Sequence, residues 1–408
     1  MIRRSRSRAR LHLKLAAAIV LAASASPASV LAQGAPAAGA QRPAPHLISF
    51  GSKPGLPNVR VVGIGGTIVS SAVARDRWQS YGGDQAINDS ILISRVMPEL
   101  SEVANITNIE ISNLGSGVIK ASDMYNTTKA VDAALAEPGV DAVVVLAGTN
   151  IMEEVAYWLD LTVRSDKPVV ITGSMRQNNT FSFDGLANLF NSVVLAASRK
   201  TTCYGTVLLL ADEYISAREV RKTDAVRTDT FEGGRFGVLG AVDERRVRAV
   251  QAPARVLKCG TPEWPTPFDL NRISAHDLPK VEIEFSYMDA GAEAIPAMVA
   301  AGVKGIVTAG HGAGSISTAQ GAARTKAIES GVLFVTTTRT GSGPVWGSTR
   351  GMIAGGDLMP QKARVLLQLG LAFSQDQAQI QQWFETIGLP DFDMSKRATP
   401  GMTHRTGG

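Results

Sequence analysis

From Val59 onward, short apolar runs alternate with stretches of helical spacing. The runs predict strands over 59–64, 142–146, 168–171 and 206–210, and again over 281–285, 305–308 and 332–336. Between them, Met152, Val155, Ala156 and Leu159 fall at i, i+3, i+4 and i+7, which is one face of a helix. Val365, Leu366, Leu369 and Ala372 repeat a similar stripe near the C-terminus. Strand and helix alternating in this way predict an α/β protein whose parallel sheets are covered by helices on both faces.

Punctuation divides the chain. Pro253, Pro262, Pro265 and Pro267 crowd a stretch where neither a helix nor a central strand continues. The expected organisation is therefore a larger N-terminal domain over 58–251 with a mostly parallel, doubly wound sheet, a connection over 252–272, and a smaller C-terminal α/β domain over 273–390. Residues 33–57 are rich in Gly, Ala and Pro and read as a flexible linker, and 391–408 as a polar tail. Residues 1–32 have the form of a secretory signal: a basic start, an apolar run beginning at Leu15, and Val30-Leu31-Ala32 as a small-residue cleavage site. No later run reaches the ~18 apolar residues of a membrane span, so an exported, soluble protein is expected, periplasmic or secreted.

Charge then narrows the partners. The 408 residues carry a formal net charge of +5, but Arg3, Arg4, Arg6, Arg8, Arg10 and Lys14 all lie in the signal. Without them the body stands near −1, with no electrostatic footprint for nucleic acid or anionic lipid. Of five histidines only His276 and His311 fall in the folded body, which argues against a multi-histidine zinc site and leaves a Ser-His-Asp hydrolase just two candidate bases. Cys203 and Cys259 lack redox or metal spacing, and the sequence does not say whether they pair. No metal or cofactor is expected.

Ligands of open α/β sheets bind beyond the carboxyl ends of the strands, so polar segments there are the candidates. Gly65-Gly66-Thr67 follows the first strand and sets a hydroxyl at a sharp turn; an ordinary βα turn has the same composition. Thr149 and Asn150 follow the second strand. Asn150 with Glu153 has capping-box spacing, and the helix start that this marks suits a carboxylate or oxyanion. The charged stretch from Arg218 to Asp224 reads either as a solvated loop or as the carrier of a desolvated lysine acting on a hydroxyl. Gly310-His311-Gly312-Ala313-Gly314-Ser315 is a fourth such segment, in the smaller domain.

Five motifs in order carry a family resemblance: Gly65-Gly66-Thr67-Ile68; Gly148-Thr149-Asn150-Ile151-Met152-Glu153-Glu154; the run from Lys167 through Thr172-Gly173-Ser174-Met175-Arg176; Asp184-Gly185-Leu186-Ala187-Asn188-Leu189; and Pro360-Gln361-Lys362-Ala363-Arg364. Across nearly all of 56–390 the chain resembles the bacterial-type L-asparaginase/glutaminase family of amidohydrolases. The resemblance implies a two-domain α/β fold and hydrolysis of a small-molecule amide, the side-chain amide of asparagine or glutamine. It makes Thr67 the nucleophile, with Tyr81 as its partner in a closing loop, and Thr149 with Lys222 the second hydroxyl and the lysine that polarises it. Ser116, Thr149, Asn150 and Ser174 become substrate contacts, Ser116 for the α-carboxylate. A homotetramer is also implied, with 311–315 facing a neighbour's Thr67 pocket. Such chemistry needs neither histidine nor metal.

The departures share one theme. Ala147-Gly148-Thr149-Asn150 stands where the family usually has His-Gly-Thr-Asp, so the carboxylate that meets the substrate ammonium is missing. Ser116 is followed by Gly117 rather than glutamine, and no glutamate occurs between Glu329 and Glu385 to serve a neighbouring subunit. Two alternatives follow from this and from the exported two-domain organisation. One is an amidase of the same mechanism whose substrate keeps a carboxylate but lacks a free α-ammonium, such as a blocked or peptide-linked asparagine or a dicarboxylic monoamide. The other is an exported binding protein without catalysis.

Overall fold

A computed structural model describes residues 46–396 of the chain. The first sheet is built from β1 (Ile48–Ser49), β2 (Asn58–Gly63), β3 (Asn105–Glu110), β4 (Ala142–Leu146), β5 (Val169–Thr172), β6 (Thr206–Leu210) and β7 (Glu213–Ser216). After a separate hairpin of β8 (Arg221–Lys222) and β9 (Phe231–Glu232), it is completed by β10 (Gly240–Asp243) and β11 (Arg246–Ala249). Its strand order is β1-β3-β2-β4-β5-β6-β7-β10-β11. The middle five strands, β3 to β6 in that order, run parallel. The outer four pair antiparallel, so the large sheet is mixed where the sequence pattern predicts a mostly parallel one.

Val143 and Val145 of β4 face one side with Ile171 and Leu208, under the helices α2 (Ala121–Ala136) and α3 (Met152–Thr162). Val144 and Leu146 face the other side with Val170 and Leu209, under α4 (Gly185–Ala197), with the short α1 (Asp89–Ser94) nearby. Burial on both faces is why these strands read as unbroken apolar runs. The second sheet is four parallel strands in the order β12 (Val281–Phe285), β13 (Gly305–Gly310), β14 (Leu333–Thr338) and β15 (Met352–Ala354). It packs with α5 (Ala294–Ala300), α6 (Thr318–Glu329) and α7 (Pro360–Phe373), and α8 (Gln377–Trp383) follows. Pro360 sits in the first turn of α7, where its missing N–H costs nothing. The architecture is the expected two-domain α/β fold, and α7 bridges its halves by packing on α3 as well as on β13.

Two boundaries differ from the sequence reading. The end of the expected 33–57 linker forms β1, whose Ile48 and Ser49 pair with β3. The proline-rich connection is not loose: Cys203 and Cys259 form a disulfide across 56 residues, and Trp264 donates its indole N–H to the Cys203 carbonyl at 3.0 Å. The expected signal over 1–32, most of the linker and the tail beyond Lys396 lie outside the described residues. Among the described residues no helix is long and apolar enough to cross a membrane.

Candidate active site

The chain leaves β2 for β3 on one side and returns to β4 on the other, so β2 and β4 flank a topological switch point. The loops that leave these two strands meet in the crevice this creates. Gly65 and Gly66 have φ of +101° and +106°, a region that other residues rarely adopt. The space is as restrictive as the angle. A Cβ on Gly66 would stand 2.4 Å from the Cα of Gly148, and a Cβ on Gly148 would stand 2.4 Å from the Ser116 hydroxyl oxygen. Three segments that are distant in sequence thus touch at Gly66, Gly148 and Ser116, and each glycine carries a threonine next to it.

Thr67 is 7 % exposed, and its Oγ1 lies 2.9 Å from the phenol oxygen of Tyr81. Thr149 is 4 % exposed and accepts from the Lys222 ammonium at 3.1 Å. The same ammonium donates to Asn150 Oδ1 at 3.0 Å. Burial pushes the Lys222 pKa below its ordinary value, while the Glu153 and Asp224 carboxylates oppose that shift. The β8–β9 pairing, with Lys222 opposite Phe231, holds the lysine's backbone in an extended form aimed back at β4's end.

These contacts revise the role of Asn150. The capping-box spacing predicts that its side chain caps the following helix. Helix α3 instead starts at Met152 behind Ile151, with no side-chain cap, and Asn150 turns its carbonyl to Lys222. Ser174 is brought to the same end of the sheet but is fully buried, with its hydroxyl donated to the Arg176 carbonyl at 2.6 Å, so it shapes a turn. Ser116 opens a single 3-10 turn and is half-buried against Gly148. His311 pairs with Ser315 in a tight turn beyond β13.

Sequence reasoning missed the anchors of the Thr67–Tyr81 loop. Asn178 donates to the carbonyls of Ser70 and Gln85 at 2.6 and 3.0 Å, which pins both ends of that loop. Asn179 exchanges two bonds with the Ala72 backbone, each 2.9 Å. The Arg176 guanidinium stacks on Trp78 at 4.3 Å and that of Arg75 on Phe181 at 4.4 Å. The polar run Arg176-Gln177-Asn178-Asn179, shortly after the buried β5, was the available signal. The chemistry the site can perform is attack by a paired threonine hydroxyl, assisted by a second hydroxyl that a half-buried amine polarises. Among the described residues no group of histidine, cysteine or carboxylate side chains is arranged to hold a metal ion.

The model of the asparaginase N-terminal domain matches residues 58–255, and that of the glutaminase/asparaginase C-terminal domain matches 280–384. L-asparaginase 2 of Bacillus subtilis is 36% identical over 340 residues, covering 82% of this chain and 88% of that protein. The probable periplasmic L-asparaginase of Haemophilus influenzae is 35% identical over 344 residues, 83% of this chain and 95% of its own. The crystal structure of a probable cytoplasmic L-asparaginase from Campylobacter jejuni superposes with a TM-score of 0.74 at 35% identity, over 81% of this chain and 99% of that one.

Proposed function

The chain belongs to the asparaginase family, and from that premise we propose that it is an amidohydrolase cleaving the side-chain amide of L-asparagine to the acid and ammonia, with the one-methylene-longer L-glutamine as second substrate. The observation that carries the reading is the meeting of two hydrogen-bonded pairs, Thr67 with Tyr81 and Thr149 with Lys222, in one crevice. Thr67 Oγ1 attacks the amide carbonyl and gives up its proton through the Tyr81 contact. The amide nitrogen gains a proton from the Lys222–Thr149 side and leaves as ammonia. Water then cleaves the acyl-threonine ester and restores the hydroxyl, and the proton released at Tyr81 to solvent is matched by the one that Lys222 takes back from it, so both pairs return to their starting state. Ser116 is the contact for the α-carboxylate, its hydroxyl standing against Gly148 next to Thr149. The test is ammonia release by purified mature protein from asparagine, glutamine, N-acyl asparagines and succinamate. Turnover of asparagine is expected, and no release from any of the four rejects an amidohydrolase.

One contact favours a second reading, an amidase whose substrate lacks the free α-ammonium. Asn150 is uncharged, and its one acceptor atom is taken by Lys222. A faster rate on N-acetyl-asparagine than on asparagine in the same assay selects this reading. For the setting, we propose export to the periplasm or medium after removal of 1–32, and a homotetramer. The disulfide supports an oxidising compartment. Tyr287, Met288 and Trp346, exposed on loops of the C-terminal half, supply apolar surface for assembly. Light scattering of a fully active monomer would refute the tetramer.

A further inference from the structure

The segment that carries Lys222 is held from behind by the C-terminal half of the protein. Lys362, in the first turn of α7, is 1 % exposed. All three of its N–H bonds go to one stretch of backbone: to the carbonyls of Ala217 at 2.8 Å, Arg218 at 2.7 Å, and Val220. Arg218 ties the same stretch to the Gly388 carbonyl at 2.9 and 2.7 Å, and it pairs with Asp357. Lys222 follows Val220 by two residues, so its backbone is fixed by a saturated, buried ammonium.

A single buried carboxylate links this clamp to the site. Glu153 lies in the first turn of α3, three residues beyond Asn150. Its Oε1 accepts from Gln361 Nε2 at 3.2 Å, next to Lys362 on α7. Burial pushes the Glu153 pKa up, while the Lys362 charge, the Gln361 amide, the backbone N–H of Lys222 and the Arg221 charge oppose that shift and favour the ionised form. Glu153 is therefore tied to α7 through Gln361, feels the charge of Lys362 in the clamp, and acts on Lys222 on the reacting side.

We propose that Glu153 and Lys362 are positioning residues for Lys222: Lys362 fixes the backbone from which Lys222 reaches Thr149, and Glu153 supplies beside it the negative charge that Asn150 lacks. The proposal rests on Lys222 being the amine that acts on Thr149. The ionisable groups that face Lys222 are Glu153 from α3 and Asp224 from its own loop. Burial lowers the proton affinity of Lys222, and both carboxylates raise it. Removing the charge of Glu153 thus moves any pH limb that Lys222 governs to lower pH, whichever form of the amine reacts.

The test compares Glu153→Gln, Lys362→Met and Lys222→Met with wild type in ammonia release across pH, with melting temperatures in parallel. Glu153→Gln keeps the shape and the acceptor atom. It is expected to melt within a few degrees of wild type, to lose roughly tenfold in kcat with KM little changed, and to shift the limb down by about 0.5–1 pH unit. A lower melting temperature with an unmoved pH profile would mean that Glu153 only packs, and it overturns the proposal, as does an unchanged kcat. Lys362→Met is expected to lose at least about tenfold in kcat; full kcat in the folded variant removes Lys362 from the pair. Should Lys362→Met not fold, Lys362→Gln, which keeps two N–H donors, is measured against the same criterion. Lys222→Met is the separate control. If it is fully active, the assignment of Lys222 fails and not its positioning.

Discussion

Gly66 and Gly148 touch backbone to backbone: a Cβ on Gly66 would lie 2.4 Å from both the Cα and the nitrogen of Gly148. Their contact sets the separation of Thr67 and Thr149, because each threonine is the next residue along its own loop. Gly148→Ala is expected to push the two loops or Ser116 apart by a few tenths of an ångström or more. The expected result is a loss in kcat/KM on the order of 10²-fold with the protein still folded, read from steady-state kinetics and circular dichroism. Near-wild-type kcat/KM would show that the two threonines act independently.

Thr67→Ala is expected to abolish turnover, by at least about 10³-fold, with an unchanged fold. Thr149→Ala and Lys222→Met each remove a group from proton transfer and are expected to cost 10² to 10⁴-fold in kcat, on the order of magnitude typical of acid–base groups. A change confined to KM would make Lys222 a binding residue.

Asn150→Asp restores a carboxylate where it faces both Lys222 and the site. For asparagine the new charge stands opposite the α-ammonium, and a gain of about 1–3 kcal/mol in binding is expected. On N-acetyl-asparagine the same carboxylate has only Lys222 as a partner and lies near the substrate carboxylate, so affinity is expected to fall. The ratio of kcat/KM on the two substrates reads both effects. Wild type preferring asparagine, with no improvement in the variant, would place ammonium recognition elsewhere.

Asp89 lies under the nucleophile loop, its carboxylate filling the space where Gly63 lacks a side chain. Burial first, and then Glu110, raise its pKa to about 7, against a hydrogen bond from Asn108. The folded chain therefore keeps this proton that the unfolded chain releases above about pH 4. Its contribution favours folding below that pH and is lost as pH rises through 7. Asp89→Asn is expected to be more stable than wild type at pH 8 by about 1–3 kcal/mol and to show no such gain at pH 4, in denaturant titrations at both values. Equal gains at both would mean that the ionisation of Asp89 is not the cause.

Joining Cys203 to Cys259 closes a loop across 56 residues of sequence. Replacing both with Ala is expected to destabilise the protein by about 2–4 kcal/mol. Ellman titration of the unfolded, unreduced protein is expected to find no thiol; two free thiols would show that the pair is not joined in the isolated protein.

Side-chain periodicity alone carries much of this architecture, because β4, β5 and β6 are buried on both faces and must be apolar throughout. The α3 and α7 stripes are visible for a related reason: each helix is buried over most of its surface, against a sheet and against the other helix. Strand β3 escaped notice because Asn105–Glu110 has only two apolar residues, Ile106 and Ile109, three apart rather than two, and is buried at only two positions. Strands β7, β10, β11 and β15 are three or four residues long, too short for a period to show. Two of the five motifs contain the threonines, each just past a strand end, while Lys222 was legible only as one of the charges between Arg218 and Asp224 and through the family resemblance. Local spacing also misled, giving Asn150 to a helix cap when its partner is Lys222, 72 residues away. The pairing of Cys203 with Cys259, the grip of Lys362 on 217–220, and the pinning of the nucleophile loop by Asn178 are likewise contacts between distant segments. Composition and period constrain which face of an element is buried, but not which distant group it meets. That is decided when the chain packs, since a buried ammonium, amide or carboxylate is stable only where folding delivers its partners.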